Sequence, residues 1–170
     1  MSAANGLLKR EECAILLVDF QAGLGFGVES IPRQLVANNA VGLARTAVAF
    51  KVPVIASTSA SRVYSGPLLP ALQEALPAVK PIERRSMNVW EDDTARNAVV
   101  ATNRRRLIIA GFLTEACVSF PALSALKDEG LRGVSVIRRP CGAAVSVKQR
   151  DASLPQDLQR DSTGAVLRCD

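Results

Sequence analysis

The chain has 170 residues, 48% of them hydrophobic and only 4% aromatic, with four cysteines and no histidine. That length fits one domain with a substantial core, and no apolar run approaches the roughly 20 residues a membrane-spanning helix needs, so no membrane partner is expected. Arg104, Arg105 and Arg106 supply part of the formal charge of +5, but acidic residues share the same surface segments and no stacking or recognition-helix pattern accompanies them, which argues against nucleic acid.

The opening stretch MSAANGLLKREE lacks the apolar core of a secretory signal, and a soluble cytoplasmic protein is expected. The first strand is read at Cys13 to Phe20, which contains the run AILLV. Gly23, Gly25 and Gly27 come too late after it for a phosphate-binding loop, and are read as a flexible turn. A helix follows over Ile31 to Phe50, with an apolar face formed by Leu35, Val36, Val41, Leu43, Ala47 and Val48, and Lys51-Val52-Pro53 ends it. Further strands are expected at Val52 to Ser59, around Pro81 to Arg84, at Arg106 to Phe112 and at Gly133 to Arg138. Helices lie between them at Leu68 to Leu76, Glu91 to Asn103 and Thr114 to Glu129, the last stopped by Gly130. The strand runs are nearly continuous in Val, Ile, Leu and Ala, not alternating, the pattern of strands covered on both faces.

This β-α alternation predicts an α/β fold: a three-layer α/β/α sandwich of Rossmann-like type with a mostly parallel sheet and right-handed crossovers. A single domain over residues 1–170 is expected, with a divergent C-terminal segment over 140–170. There Arg138-Arg139-Pro140 interrupts the fifth strand, Lys148 to Asp161 is polar, and Ala165 to Leu167 could close the sheet as a short edge strand. Cys13, Cys117, Cys141 and Cys169 are widely spaced, with no CxxC pair. Reduced thiols are therefore expected, with no disulfide framework, metal site or cofactor.

Without histidine, any general base must be a carboxylate. Asp19 ends the apolar run of the first strand, where a carboxylate is costly unless it is paired or used; its bland alternative is a cap for the loop Gln21 to Gly27. Cys117 follows the fourth strand where a helix should begin, a position whose free N–H groups and dipole lower a thiol's pKa. Such a thiol should react quickly with iodoacetamide near neutral pH. The alternative for Cys117 is a small buried hydrophobe. The carboxyl ends of parallel strands converge on one crevice, which could bring the two groups together. A cation to hold Asp19 could be Arg84 or Arg85, at the end of the short third strand, and Arg84 is chosen.

The stretches LLVDFQAGL, ERRSMNVWED and, above all, IIAGFLTEACVSFPALSAL resemble the isochorismatase-like cysteine hydrolases, and within them the YcaC-like subgroup, from about Cys13 to Val136. That resemblance implies an Asp-Arg-Cys catalytic triad of Asp19, Arg84 and Cys117 acting on a small amide-type substrate. It also implies a non-proline cis peptide at Leu113-Thr114, with the amides of Thr114 and Cys117 as oxyanion donors. Members are commonly homo-oligomers. Relatives that are metal-dependent nicotinamidases bind their metal through an Asp and histidines, a set this chain cannot supply. Phe20, Gln21, Asn88, Trp90 and Phe120 are candidate substrate-binding residues, with core packing or loop hydrogen bonding as their alternatives. Competing readings are a non-catalytic scaffold or binding subunit that keeps the fold, and a redox thiol protein, which the lack of CxxC disfavours.

Overall fold

Six apolar residues in succession, Cys13–Val18, form β1 at the centre of the sheet, and every one of them is buried. The computed structural model describes residues 8–28, 32–127, 131, 133–137 and 144–148. Alternate side chains of β1 serve opposite faces, as the pleat requires. Ala14, Leu16 and Val18 pack into one apolar cluster with Val99, Ala122 and Ala125. Ile15 and Leu17 pack into another with Ala40, Ala44 and Leu72. Two separate cores, one on each face, make the three layers, and each fully buried Leu or Ile contributes roughly 1.5–3 kcal/mol.

The remaining strands are β2 (Val54–Ser59), β3 (Ile82–Arg84), β4 (Arg106–Gly111), β5 (Gly133–Ile137) and β6 (Ala144–Lys148), in the order β3-β2-β1-β4-β5-β6. β1 to β5 are mutually parallel, and β6 runs antiparallel to β5. The antiparallel edge is an element the sequence reading did not place. The suggested edge strand at Ala165 to Leu167, the Arg138-Arg139-Pro140 break, Cys141 and Cys169 lie outside the described residues.

The helices are α1 (Ala22–Gly25), α2 (Arg33–Phe50), α3 (Pro70–Ala75), α4 (Asp93–Ala101) and α5 (Ser119–Ala125). α2 closes as anticipated: Lys51 adopts a left-handed φ of 55°, and the Val52 amide donates to the Ala47 carbonyl at 2.8 Å. Its buried stripe, however, is Ala40, Ala44 and Ala47, while Leu35 and Val48 are 42% and 58% exposed. The three alanines let the helix backbone approach the sheet, and Val36, Val41 and Leu43 of the expected face pack around them. α4 starts two residues later than expected because Val89–Glu91 forms a separate 3-10 turn, after which the Asp92 carboxylate caps the Ala95 amide at 3.0 Å.

The glycines after β1 are not simply a flexible turn. Gly23 sits in α1, its amide bonded to the Ser65 carbonyl at 2.8 Å. A Cβ there would collide with the Tyr64 carbonyl and lie 2.8 Å from that of Ser65. Chain order reverses at β1: β2 and β3 extend to one side and β4 to the other. The carboxyl ends of β1 and β4, paired in register up to Val18 and Gly111, meet at that switch point, the place where ligands bind in open α/β sheets.

Candidate active site

Asp19 is the first residue past β1, at 2% exposure, with a left-handed φ of 56°. That conformation is uncommon for a residue with a side chain and costs of order 1–3 kcal/mol, so the surroundings must hold it. Two backbone bonds do so. The Asp19 amide donates to the Ser57 carbonyl at 2.9 Å, and its carbonyl accepts from the Gln21 amide at 2.7 Å.

Arg84, the last residue of β3, is 2% exposed and grips the Asp19 carboxylate with both terminal nitrogens. Nη1 bonds Oδ1, and Nη2 bonds Oδ2 at 2.6 Å. Nη1 also donates to the Ser57 hydroxyl and Nη2 to the Met87 carbonyl, both at 3.2 Å. The planar fork of a guanidinium suits such a two-point grip, and a buried pair of this kind is costly to break from one side. Arg85, the other candidate cation, is exposed on the following loop.

Cys117 completes the group. Its Sγ donates to Asp19 Oδ2 at 3.2 Å across 98 residues of sequence. Asp19 Oδ2 therefore faces a cation on one side and a thiol on the other.

The surroundings of Cys117 differ from expectation in three respects. The peptide between Leu113 and Thr114 is trans, as are all peptide bonds among the described residues. Leu113 is extended (φ −98°, ψ 100°) and leads into a wide π-type turn over Thr114–Val118 before α5 begins at Ser119, so the expected continuous helix from Thr114 is split. Within that turn the Cys117 amide donates to the Leu113 carbonyl at 2.8 Å. One of the two anticipated oxyanion donors is thus engaged within the turn.

The third difference is ionisation. The sulfur is held up to about 12 from an ordinary 9.0, first by burial, then by the Asp19 charge and hydrogen bond, against an opposing pull from Arg84. Cys117 is only 3% exposed, and the Arg84 charge and a backbone hydrogen bond at Leu113, which favour the thiolate, do not offset that burial. Burial outweighs the helix start, and the resting residue is a thiol hydrogen-bonded to a carboxylate.

This has a consequence for stability. The thiol ionises near 9.0 when unfolded and near 12 when folded. Cys117's contribution to stability is therefore full below about pH 9 and is lost as pH rises towards 12. The free energy of unfolding measured across that window should fall more steeply with pH for the unaltered chain than for Cys117→Ala. Parallel curves would mean the thiol is not held neutral.

Gly111, the last residue of β4, allows the turn to lie this close. A Cβ there would sit 2.8 Å from the Val18 carbonyl, 3.2 Å from Val118 Cγ2 and 3.3 Å from Cys117 Cβ. Gly111→Ala should lower stability by ~1–3 kcal/mol through overpacking, read by thermal unfolding. An unchanged melting temperature would show that the turn has slack.

The other candidate residues fall into two groups. Phe20 packs edge-to-face on Phe112 with ring centroids 5.0 Å apart, and Trp90 is buried in the opposite core. Gln21 is fully buried, donating to the carbonyls of Ser59 at 3.0 Å and Gly66 at 2.5 Å and accepting from the Ser59 amide at 2.9 Å. Asn88 caps the 3-10 turn by accepting from the Trp90 amide at 3.1 Å, and donates to Ser124 Oγ at 3.0 Å. These four side chains are engaged in packing or loop bonds. Phe120, by contrast, is 50% exposed on α5. The sequence reading missed Ser57, Gly111 and the Met87 carbonyl. None carried a distinct signal: Ser57 is one of three hydroxyl residues in succession, Ser57, Thr58 and Ser59, at the end of β2.

A family model described as the isochorismatase domain matches residues 13–160. Over 122 residues the chain is 41% identical to the probable hydrolase YcaC of Escherichia coli strain K12, which covers 71% of this chain and 59% of that protein. The chain thus spans less than two thirds of that curated relative. The crystal structure of the Escherichia coli YcaC gene product, described as an octameric hydrolase of unknown specificity, superposes with a TM-score of 0.73 at 40% identity, covering 80% of this chain and 66% of that one. YcaC from Pseudomonas aeruginosa, with hexane-2,5-diol and covalent acrylamide, gives the same TM-score at 39% identity, covering 80% and 67%.

Proposed function

The chain belongs to the isochorismatase family, and from that membership we propose that it is a cysteine hydrolase that cleaves a C–N bond of a small amide-type substrate through a Cys117 thioester. The observation that supports this best is the shared oxygen: Asp19 Oδ2 accepts from Arg84 Nη2 and from the Cys117 thiol.

In this reading substrate binding precedes ionisation, because the resting thiol is neutral. Asp19 takes the Cys117 proton as the sulfur attacks the carbonyl carbon. The tetrahedral oxyanion collapses with loss of the amine, which leaves carrying the proton held by Asp19. Asp19 then removes a proton from water, the hydroxide adds to the thioester, the C–S bond breaks, and the proton returns to sulfur. Arg84 stays charged throughout, keeping the carboxylate oriented without shuttling protons. The Thr114 amide is the first oxyanion donor, and the Cys117 amide joins once its bond to the Leu113 carbonyl opens.

Phe120 lines the approach to the sulfur. The chain also assembles with copies of itself: Phe26, Tyr64, Met87, Leu113 and Phe120, on segments following β1 to β4, present large apolar side chains to solvent at the site end of the sheet. The related YcaC gene product is described as octameric.

The second reading, a scaffold that keeps the fold without turnover, has the buried and protonated sulfur in its favour. Assays of small amides, carbamoyl compounds and esters with the unaltered chain and Cys117→Ala separate the two. Turnover that survives the substitution overturns the hydrolase mechanism.

A further inference from the structure

We infer that Ser57 is a positioning residue for the reacting pair, acting through Arg84 on Cys117 and through its own backbone on Asp19. The inference rests on the reading of Asp19 and Cys117 as that pair.

Ser57 lies near the end of β2, fully buried, in register with Val18 of β1 and Ile82 of β3. It thus stands between the strand that delivers Asp19 and the strand that delivers Arg84. A buried hydroxyl in a strand is costly unless bonded, and this one is bonded twice. It donates to the Ile82 carbonyl at 3.3 Å and accepts from Arg84 Nη1 at 3.2 Å. Donation in one direction leaves its lone pairs for the guanidinium. The Ser57 carbonyl meanwhile accepts the Asp19 amide, one of the two bonds that fix the left-handed backbone there.

Arg84 has little else to hold it. Besides Asp19, its terminal nitrogens reach Ser57 and the Met87 carbonyl, and its Nε is buried with no partner among the described residues. Loss of the Ser57 hydroxyl leaves a second guanidinium N–H unpaired, and the fork can then slide along the carboxylate. Since Arg84 is the cation opposing the upward shift of the Cys117 thiol, any retreat of Arg84 makes that thiol harder to ionise.

The test needs no substrate. Alkylation of Cys117 by iodoacetamide is followed by mass spectrometry between about pH 8 and 10, where reaction tracks the thiolate fraction. A retreat that raises the pKa by about one unit cuts thiolate tenfold. The more basic thiolate regains about threefold in nucleophilicity, for a net slowing of about threefold. Ser57→Ala is expected to show that slowing at every pH with Cys13 labelling unchanged, and Ser57→Thr, which keeps the hydroxyl, to return towards the original rate. A Ser57→Ala rate equal to that of the unaltered chain overturns the inference. So does equal slowing in both variants, which is the signature of packing alone. The site reading fails separately: Asp19→Asn leaving Cys117 alkylation unchanged would break the Asp19–Cys117 link whatever Ser57 does.

Discussion

Cys117→Ala is expected to lower turnover of any true substrate by at least about 10⁴-fold while leaving the fold intact. Removal of a covalent nucleophile removes the step that the rest of the site serves, and losses of 10⁴ to 10⁶ are usual. Folding should survive because the sulfur's hydrogen-bond acceptor among the described residues, Asp19 Oδ2, keeps its bond to Arg84 Nη2 at 2.6 Å. The exchange deletes one buried sulfur beside Gly111 and Val118, a small cavity costing about 1–2 kcal/mol. The checks are steady-state turnover together with thermal unfolding. A variant that folds and still turns over substrate within tenfold of the original rate means that water, not sulfur, attacks. In that case Asp19 would act as base for a direct hydrolysis.

The fold was legible where burial is two-sided. β1 and β4 read as nearly continuous apolar runs because helices cover both faces, β2 begins as one, and the observed ends of all three lie within two residues of those expected. The face of α2 was read in part: Val36, Val41, Leu43 and Ala47 pack on the core, whereas Leu35 and Val48 do not, because apolar residues recur around much of that helix. Leu35 and Val48 are more hydrophobic than Ala40 and Ala44, yet they point outward. β6 escaped notice although it follows β5 closely in sequence, because the strand reading stopped at the Arg138-Arg139-Pro140 break and placed no further strand before Ala165.

The proximity of Asp19, Arg84 and Cys117 followed from each standing at or just beyond the carboxyl end of a parallel strand, a placement that topology converts into a meeting point. What local sequence could not convey was the capture of the Cys117 amide by the Leu113 carbonyl, which is set by how the chain turns out of β4. Nor could it convey the sulfur's ionisation. The rule that a helix start acidifies a thiol is local, whereas burial and a carboxylate 98 residues away in sequence are not.

Asp19→Asn separates the two effects the carboxylate has on the sulfur, and they have opposite signs. As a base, Asp19 accepts the thiol proton and returns it to the leaving amine. An amide side chain can do neither, so turnover should fall by about 10²–10⁴-fold. As a charge, Asp19 opposes ionisation: after burial, it is the largest cause holding Cys117 up to about 12. Removing that charge leaves Arg84 without an anion, and the sulfur, which lies against the same oxygen position, becomes the group best placed to supply one. The thiol pKa should therefore drop, and simple alkylation by iodoacetamide should speed up at a fixed pH as the thiolate fraction rises. Stability should fall by about 3–5 kcal/mol, because the buried guanidinium loses its partner, and should recover in part as pH rises and the thiolate forms beside it. One variant thus gives slower turnover and faster alkylation together. Slower alkylation in Asp19→Asn would contradict the electrostatics of the site. Undiminished turnover would remove Asp19 from the chemistry and leave the Arg84 pair as a structural ion pair beneath a different base.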